Sequence, residues 1–421
     1  VNNASYVKNV FNTLQHLIRK NKIVAGHDVA SGGLITTLLE LCFATSNIGA
    51  DIDLSSLNEI DSIKVLFAEN SGIVFQAIDE SVETELSKNK INFVKIGSVT
   101  ESDHLKIKNG PDTFDLSISE LRDIWYKTSY LLDNKQTAND LAKKRFDNYK
   151  NQPLNYRFPD HFTGKLPEIK KQKPKAAVIR EKGSNSEREM ANAMYLAGFD
   201  VKDVHMTDLI SGRETLEDIQ FIGAVGGFSN SDVLGSAKGW AGAFLYNEKA
   251  NEALKNFFER KDTLSVGICN GAQLWMELEL INPEHAIHGK LTYNDSHKHE
   301  SSFTSVNIQE NNSIMLSSLA GSTLGVWISH GEGKYSLPLE ESKYNICAKY
   351  AYDDYPHNPN GSDYNVAMLC DKSGRHLTTM PHIERSTFQW NWPYYPDHRK
   401  DEVSPWLEAF VNARKWIEKT Q

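Results

Sequence analysis

The chain of 421 residues carries 46 Lys and Arg against 55 Asp and Glu, a formal net charge of −9, with 40% hydrophobic and 24% charged residues. That balance describes an ordinary globular protein of about two to four domains, and it excludes the dominant basic face that nonspecific nucleic-acid binding requires. The four cysteines (Cys42, Cys269, Cys347, Cys370) form no CxxC pair and no apolar run is long enough to span a bilayer, so a reducing, cytoplasmic setting without membrane or zinc is expected.

The chain opens at Val1 rather than Met, and is expected to be a piece of a longer polypeptide. Residues 5–19 read as an amphipathic helix with Val7, Val10, Phe11, Leu14, Leu17 and Ile18 on one side. Ile23 opens a strand that runs through His27-Asp28 into the turn Ala30-Ser31-Gly32-Gly33, ahead of an apolar helix over 34–44. A strand, an acidic turn and a Gly-Gly helix start make a cradle for phosphate and its metal ion, with Asp28 as a hard oxygen ligand. Taken by itself, the His27-Asp28 stretch is better read as a plain turn with an N-cap. A short helix over 63–68, a buried strand over 72–78, a helix over 81–90 and a strand over 93–98 follow. A hairpin turns at Asn109-Gly110, and a helix covers 119–132. The apolar period then weakens across 133–173, which reads as a helix and an extended linker.

A new pattern opens at residues 175–180, KAAVIR, a clear strand. A helix over 185–197, capped by Ser184 or Asn185 and stopped by Gly198, and a helix over 248–260 alternate with strands over 201–205, 221–225 and 264–268. Such alternation predicts a doubly wound parallel sheet, which binds ligands beyond the carboxyl ends of its strands. At one such end Leu264-Ser-Val-Gly-Ile268 passes abruptly through Cys269-Asn270-Gly271 into a helical stretch. That is a nucleophile elbow with Cys in place of Ser, and the helix N-terminus behind it favours thiolate. From this stretch alone a buried, inert cysteine is an equal reading.

A thiol nucleophile needs a base. Among fourteen histidines, His382 stands out: it follows an expected strand over 375–379 and the stiff Met380-Pro381 turn, with Glu384 two residues on to orient the ring. Gly226-Gly227-Phe228 ends the strand before the elbow strand, where glycines leave backbone N–H groups free to face an oxyanion, with the Asn270 N–H as second donor. Taken singly, Gly-Gly is also a tight βα turn and His-x-Glu a common surface pair.

The motifs GGFSNSDVLG, GICNGAQ, SHGEGK and MPHIERS together resemble the class I (triad) glutamine amidotransferases, and most closely the glutaminase domain of the large-type phosphoribosylformylglycinamidine synthase family. REKGSNSEREMANAMYLAGF, YPHNPNGS and SPWLEAFVNARKW extend the likeness over 173–421, while HDVASGGLITTLLELCFA and LFAENSGIVFQ resemble the end of that family's synthetase half. The resemblance implies a flavodoxin-like α/β glutaminase domain at 173–421. Ahead of it stand a partial α+β domain of aminoimidazole-ribonucleotide-synthetase type at 1–133 and a connecting segment at 134–172. It also implies a purine-biosynthetic ligase in which Cys269, His382 and Glu384 hydrolyse glutamine. Gly227 or Phe228, with Asn270, would supply the oxyanion hole, and Gln273, His330, Gly331 and Glu332 would touch that glutamine. ATP and Mg²⁺ would serve amidation of formylglycinamide ribonucleotide, with Asp28 as a magnesium ligand and Ala30 beside nucleotide. The sequence departs from the pattern where Ala30 replaces a hydroxyl residue, Ser31 an Asp, Asn230-Ser231 a Tyr-Gly, Ala272 a Cys, Ser302 an Arg and Ile383 a Pro. None of these removes a triad group. Competing readings are a stand-alone glutaminase for another acceptor, a flavodoxin-like redox or binding module, and a cysteine peptidase.

Overall fold

The computed structural model describes residues 3–151, 155–169, 172–235 and 237–420. It divides into two compact units, Val1–Leu131 and Leu132–Gln421.

In the first unit the helix Ala4–Arg19 starts where the Asn3 side chain accepts from the Tyr6 N–H at 2.9 Å. It buries Leu14 and Leu17, yet Val7, Phe11 and Ile18 of the same expected face remain exposed. The strand Ile23–Asp28 pairs antiparallel with Ile73–Ala77 as an isolated ribbon. That second strand was expected to be buried. Its partner on one edge only leaves Ile73 half exposed, which is why apolar composition misleads here. A separate four-stranded sheet runs Gly97–Thr100, Gly49–Asp53, His104–Asn109, Asp112–Ser117. Its first strand begins four residues later than the 93–98 expectation, while the hairpin at Asn109-Gly110 is as expected, with Gly110 at φ +56°. Leu38 and Cys42 of the helix Gly33–Phe43 pack with Leu54, Leu105 and Ile107 in the core of this unit.

The second unit is built on a nine-stranded sheet. Five strands are parallel, in the spatial order Asp200–His205, Lys175–Arg180, Phe221–Ala224, Leu264–Ile268, His376–Thr379. In chain order that is 2-1-3-4-5, the flavodoxin-like arrangement. Beyond His376–Thr379 the sheet continues antiparallel through Val366–Cys370, Asn345–Tyr350, Glu300–Ile308 and Thr323–His330. Helices form two packed groups: Glu187–Ala197 with the C-terminal Trp406–Thr420, and Glu248–Glu259 with Met206–Ser211 and Lys238–Leu245. Their apolar faces and the all-buried central strands enclose one core containing Trp240, Trp275 and Trp406. The helix Glu187–Ala197 begins two residues after the expected start. Its N-cap is Ser186, at φ +72° and without a side-chain cap bond, rather than Ser184 or Asn185; Gly198 ends it as expected.

Residues 134–172, expected as a helix and an extended linker, contain the helix Leu141–Asn148 and belong to the second unit. Arg157 exchanges backbone hydrogen bonds with Thr323 at 2.9 Å each way, and Tyr156 and Phe158 pack on the core of that unit. Residues 152–154, 170 and 171 lie outside the described residues.

Candidate active site

The elbow strand Leu264–Ile268 is buried at every position because neighbours pair with both of its edges. Its chain turns at Cys269, which adopts φ +53°, ψ −106°, a strained conformation for a residue with a Cβ. The Cys269 N–H donates to Thr379 O at 2.8 Å, which ties the elbow to the next strand. The helix Asn270–Glu277 then lies directly on the sheet. A Cβ added at Gly271 would stand 2.1 Å from Ala224 O, and one at Gly267 would stand 2.4 Å from Gly271 O. Glycine is demanded at both places by close approach rather than by backbone angle.

Parallel pairing of Ile268 with Thr379 brings the ends of two strands to one sheet edge, and His382 follows three residues after the second. Its N–H donates to Trp327 O at 2.8 Å, which fixes the backbone beneath the imidazole. His382 Nδ1 lies 2.6 Å from Glu384 Oε1, and each residue is only 2% exposed. A Cβ added at Gly226 would lie 2.9 Å from His382 Cε1 and 3.4 Å from Cys269 Cβ, so imidazole and cysteine close on the same glycine. Burial pulls the His382 pKa down, but the charge of Glu384 and the hydrogen bonds and charges of Cys269 and Glu384 together outweigh it, raising the group to about 10. The His382 Nε2 itself has no hydrogen-bond partner among the described residues; an imidazolium paired with a carboxylate beside a cysteine is the state in which cysteine nucleophiles are activated.

A cavity of about 290 Å³ opens over the pair. Of the expected site residues, Gly227, Phe228, Cys269, Gln273, His330, Gly331, Glu332 and His382 all line it. Asn270 sits beneath, its Nδ2 donating to Gln273 Oε1 at 2.8 Å, while Gln273 Nε2 donates to Glu332 O at 2.8 Å. Both ends of the Gln273 amide are thus tied to the wall. The two oxyanion candidates differ. Phe228 donates its N–H to Gly183 O at 3.1 Å, and Asn185 donates to Gly226 O at 2.8 Å. In that antiparallel bridge of Ser184 with Gly227, the N–H of Gly227 itself points away from the 183–185 segment. Gly227, at φ +109°, therefore keeps the available donor and Phe228 does not.

Several lining residues escaped the sequence reading: Asp232, Lys298, His299, Ser329 and Arg385. Ser329 O receives the Cys269 thiol at 3.5 Å. His299 reaches the cavity because Glu300–Ile308 pairs with Thr323–His330, placing the polar run 297–299 beside His330; that run ahead of a strand was the available signal. Ser302, where the family pattern has Arg, pairs with Ile328 on this strand and is not among the lining residues.

Asp28 and Ala30 belong to the first unit and join no such constellation. The Asp28 side chain is 75% exposed, and its neighbour His27 contacts Glu40 at 3.1 Å. The amide that would cradle phosphate, Gly32 N–H, donates to Glu69 Oε1 at 2.9 Å. Among the described residues no group of three or more His, Cys, Asp or Glu is gathered to hold a metal ion. A hard cation needs several oxygens, so the residues present do not by themselves fit the magnesium and nucleotide site expected of Asp28 and Ala30. Among the described residues no helix is long and apolar enough to cross a membrane.

Comparison with known proteins bears on the same two regions. Residues 1–109 match the model of the AIR synthase related protein, C-terminal domain. Over 449 residues the chain is 40% identical to a probable phosphoribosylformylglycinamidine synthase, chloroplastic/mitochondrial, of Arabidopsis thaliana, with 99% of this chain and 32% of that protein covered. Over 443 residues it is 36% identical to the phosphoribosylformylglycinamidine synthase of Homo sapiens, with 96% and 33% covered. The chain thus spans about a third of the length of these relatives. Residues 173–417 match the CobB/CobQ-like glutamine amidotransferase domain, which is more than half of the chain, and the protein belongs to that family.

Proposed function

We propose that this chain is the glutaminase-bearing part of a phosphoribosylformylglycinamidine synthase, a C–N ligase of purine biosynthesis that takes its nitrogen from glutamine. The observation that carries the reading is the buried His382–Glu384 contact of 2.6 Å beside an elbow cysteine in one cavity. Glutamine enters with its carboxamide over Cys269. The thiolate attacks the carboxamide carbon, and the oxyanion that forms accepts from the N–H groups of Gly227 and Asn270. The His382 imidazolium gives its proton to the leaving nitrogen, ammonia departs, and a glutamyl thioester remains. The neutral imidazole then takes a proton from water, whose oxygen displaces the thiolate to give glutamate. Glu384 fixes the ring tautomer and stabilises its charged form throughout. Gln273, with Gly331, shapes the wall against which the substrate chain lies.

Ammonia passes to the synthetase portion, where ATP and Mg²⁺ serve amidation of formylglycinamide ribonucleotide. Asp28 contributes one carboxylate to that portion at most, and Ala30 contributes backbone alone. Glutamate release by wild type and C269A tests the reading. The variant is expected to lose hydrolysis, and the complete enzyme carrying C269A is expected to keep synthesis from added ammonia. Glutamine-dependent turnover by that variant would refute the assignment of Cys269.

A further inference from the structure

Residues 133–145 lie between the two matched regions, 1–109 and 173–417, and the glutaminase reading gives them no task. They belong to the second unit and grip one stretch of it, residues 295–300. The Asp133 carboxylate takes the Lys298 ammonium, and its Oδ2 accepts from Arg145 Nη1 at 3.0 Å. Arg145 Nη2 donates to Glu300 Oε2 at 2.7 Å, so one guanidinium joins two carboxylates. Backbone ties run beside these: the Ala138 N–H donates to Ser296 O at 3.0 Å, and Asn139 Nδ2 donates to Asp295 O at 2.8 Å. The charged groups are fixed in turn. Thr137 Oγ1 donates to Asp133 Oδ1 at 2.6 Å, and Tyr355 Oη donates to Glu300 Oε1 at 2.9 Å. The side chains of Asp133, Arg145, Lys298 and Glu300 are between 7% and 24% exposed, so salt screens this network little. Burial pushes the Asp133 carboxyl up, but hydrogen bonds from Lys298 and Thr137 and the charges of Arg145 and Lys298 outweigh it and hold the group below its ordinary value.

The gripped stretch is a wall of the cavity over Cys269, lined by His297, Lys298 and His299. His299 Nε2 lies 3.0 Å from Ser329 Oγ, and Ser329 O is the acceptor of the Cys269 thiol. Strand pairing with Thr323–His330 starts only at Glu300, so the wall residues 297–299 have no ladder of their own. Ties at either end set their position instead. On one side the Asn294 N–H donates to Gly331 O at 2.9 Å and Asn294 Nδ2 donates to His330 O at 2.7 Å. On the other stand Asp133 and Arg145, neither of which lines the cavity.

We infer that Asp133 and Arg145 are positioning residues of the glutaminase, bracing the 295–300 stretch so that its side chains stand as one wall of the cavity. The inference rests on the proposed glutaminase activity and extends the part of the chain that serves it back to residue 133. Both residues act through the wall and touch no reacting atom. With the brace broken, the wall leaves its place for part of the time. Glutamine then binds only the fraction of molecules in which the wall stands, so apparent affinity falls by that fraction. The triad still acts on whatever substrate is bound, which separates the effect from a loss of chemistry.

The test is D133N in the full chain, which keeps the size of the side chain and removes its charge, with R145A as an independent break. Each is expected to raise the KM for glutamine by about tenfold or more, the effect of a lost charge-assisted hydrogen bond, with kcat within a few-fold. Hydrogen–deuterium exchange reads the brace without catalysis. Peptides covering 294–300 are expected to exchange faster in both variants, while those covering the elbow, 264–277, keep wild-type protection. A wild-type KM in either variant would overturn the inference, as would unchanged exchange at 294–300. Loss of protection at the elbow as well would also overturn it, because the two residues would then support the fold at large rather than one wall. Should wild type release no glutamate from glutamine, the glutaminase reading falls and the role with it; the exchange comparison distinguishes that result from a brace that is absent.

Discussion

At the residue scale the proposed chemistry rests on two titratable groups and a sulfur, and their charges are interdependent. Glu384 and Cys269 hold His382 protonated up to about 10 although burial opposes it. In the proposed mechanism the imidazolium is the acid that protonates the departing nitrogen, so activity is expected to be lost as pH rises through that value. Removing the Glu384 charge lowers the His382 pKa and moves this alkaline limb to lower pH. Glu384→Gln is therefore expected to reduce kcat by about 10²–10⁴ and to shift the limb acidward, as read from a pH–rate profile. A profile with its limb unmoved would show that Glu384 acts by shape alone. The sequence pointed to this trio from its order and setting. It did not discriminate Gly227 from Phe228, because the distinction lies in which N–H a segment more than forty residues earlier has taken.

At the scale of elements, the elbow depends on a helix that lies unusually close to its strands. Gly271→Ala would press a methyl group into Ala224 O, and is expected to destabilise the second unit by on the order of 2 kcal/mol while impairing hydrolysis. Thermal unfolding and glutamate release together check this. The loop carrying Asp232 is strained in a different way: Asn230, Ser231 and Asp232 have φ of +53°, +57° and +55° in succession. Ser231 stands where the family pattern has Gly, which adopts this region without a Cβ penalty. Ser231→Gly is expected to raise stability by about 1 kcal/mol without loss of glutamine hydrolysis, measured by denaturant unfolding. A decrease in stability would mean that the serine side chain compensates for its backbone.

At the scale of the whole molecule, two compact units meet in sequence at Leu131 and Leu132, within the helix Ile118–Asp133. Separate cores predict two heat-absorption transitions in calorimetry of the full chain, and Cys269→Ala is expected to leave the first unit's transition in place. The first unit shows apolar surface on its Ala4–Arg19 helix and Ile73–Ala77 strand, and its Asp28 turn gathers no metal site among the described residues. These 421 residues alone are accordingly expected to make no amidated ribonucleotide when given formylglycinamide ribonucleotide, glutamine, ATP and Mg²⁺. Product formation, assayed directly, would overturn that.

Alternating strand and helix patterns from Lys175 onward, an abrupt turn at Cys269 and the Pro381-His382-x-Glu384 run were local facts, and from them the sequence alone determined a parallel α/β domain and pointed to a candidate thiol triad. Local composition also marked the Asn109-Gly110 hairpin and the glycine stop after Ala197. Tertiary structure decided the rest because it depends on residues far apart in the chain. The antiparallel extension of the sheet brings His299 and His330 to the cavity, and the bridge between Ser184 and Gly227 turns the Gly227 N–H, the candidate oxyanion donor, away from the 183–185 segment. Burial of Tyr156 and Phe158 beside the second core turns an apparent linker into part of that unit. Asp28 shows the converse: a motif supplies one ligand, but a cation site requires several oxygens converging from distant segments, and among the described residues no such group is gathered.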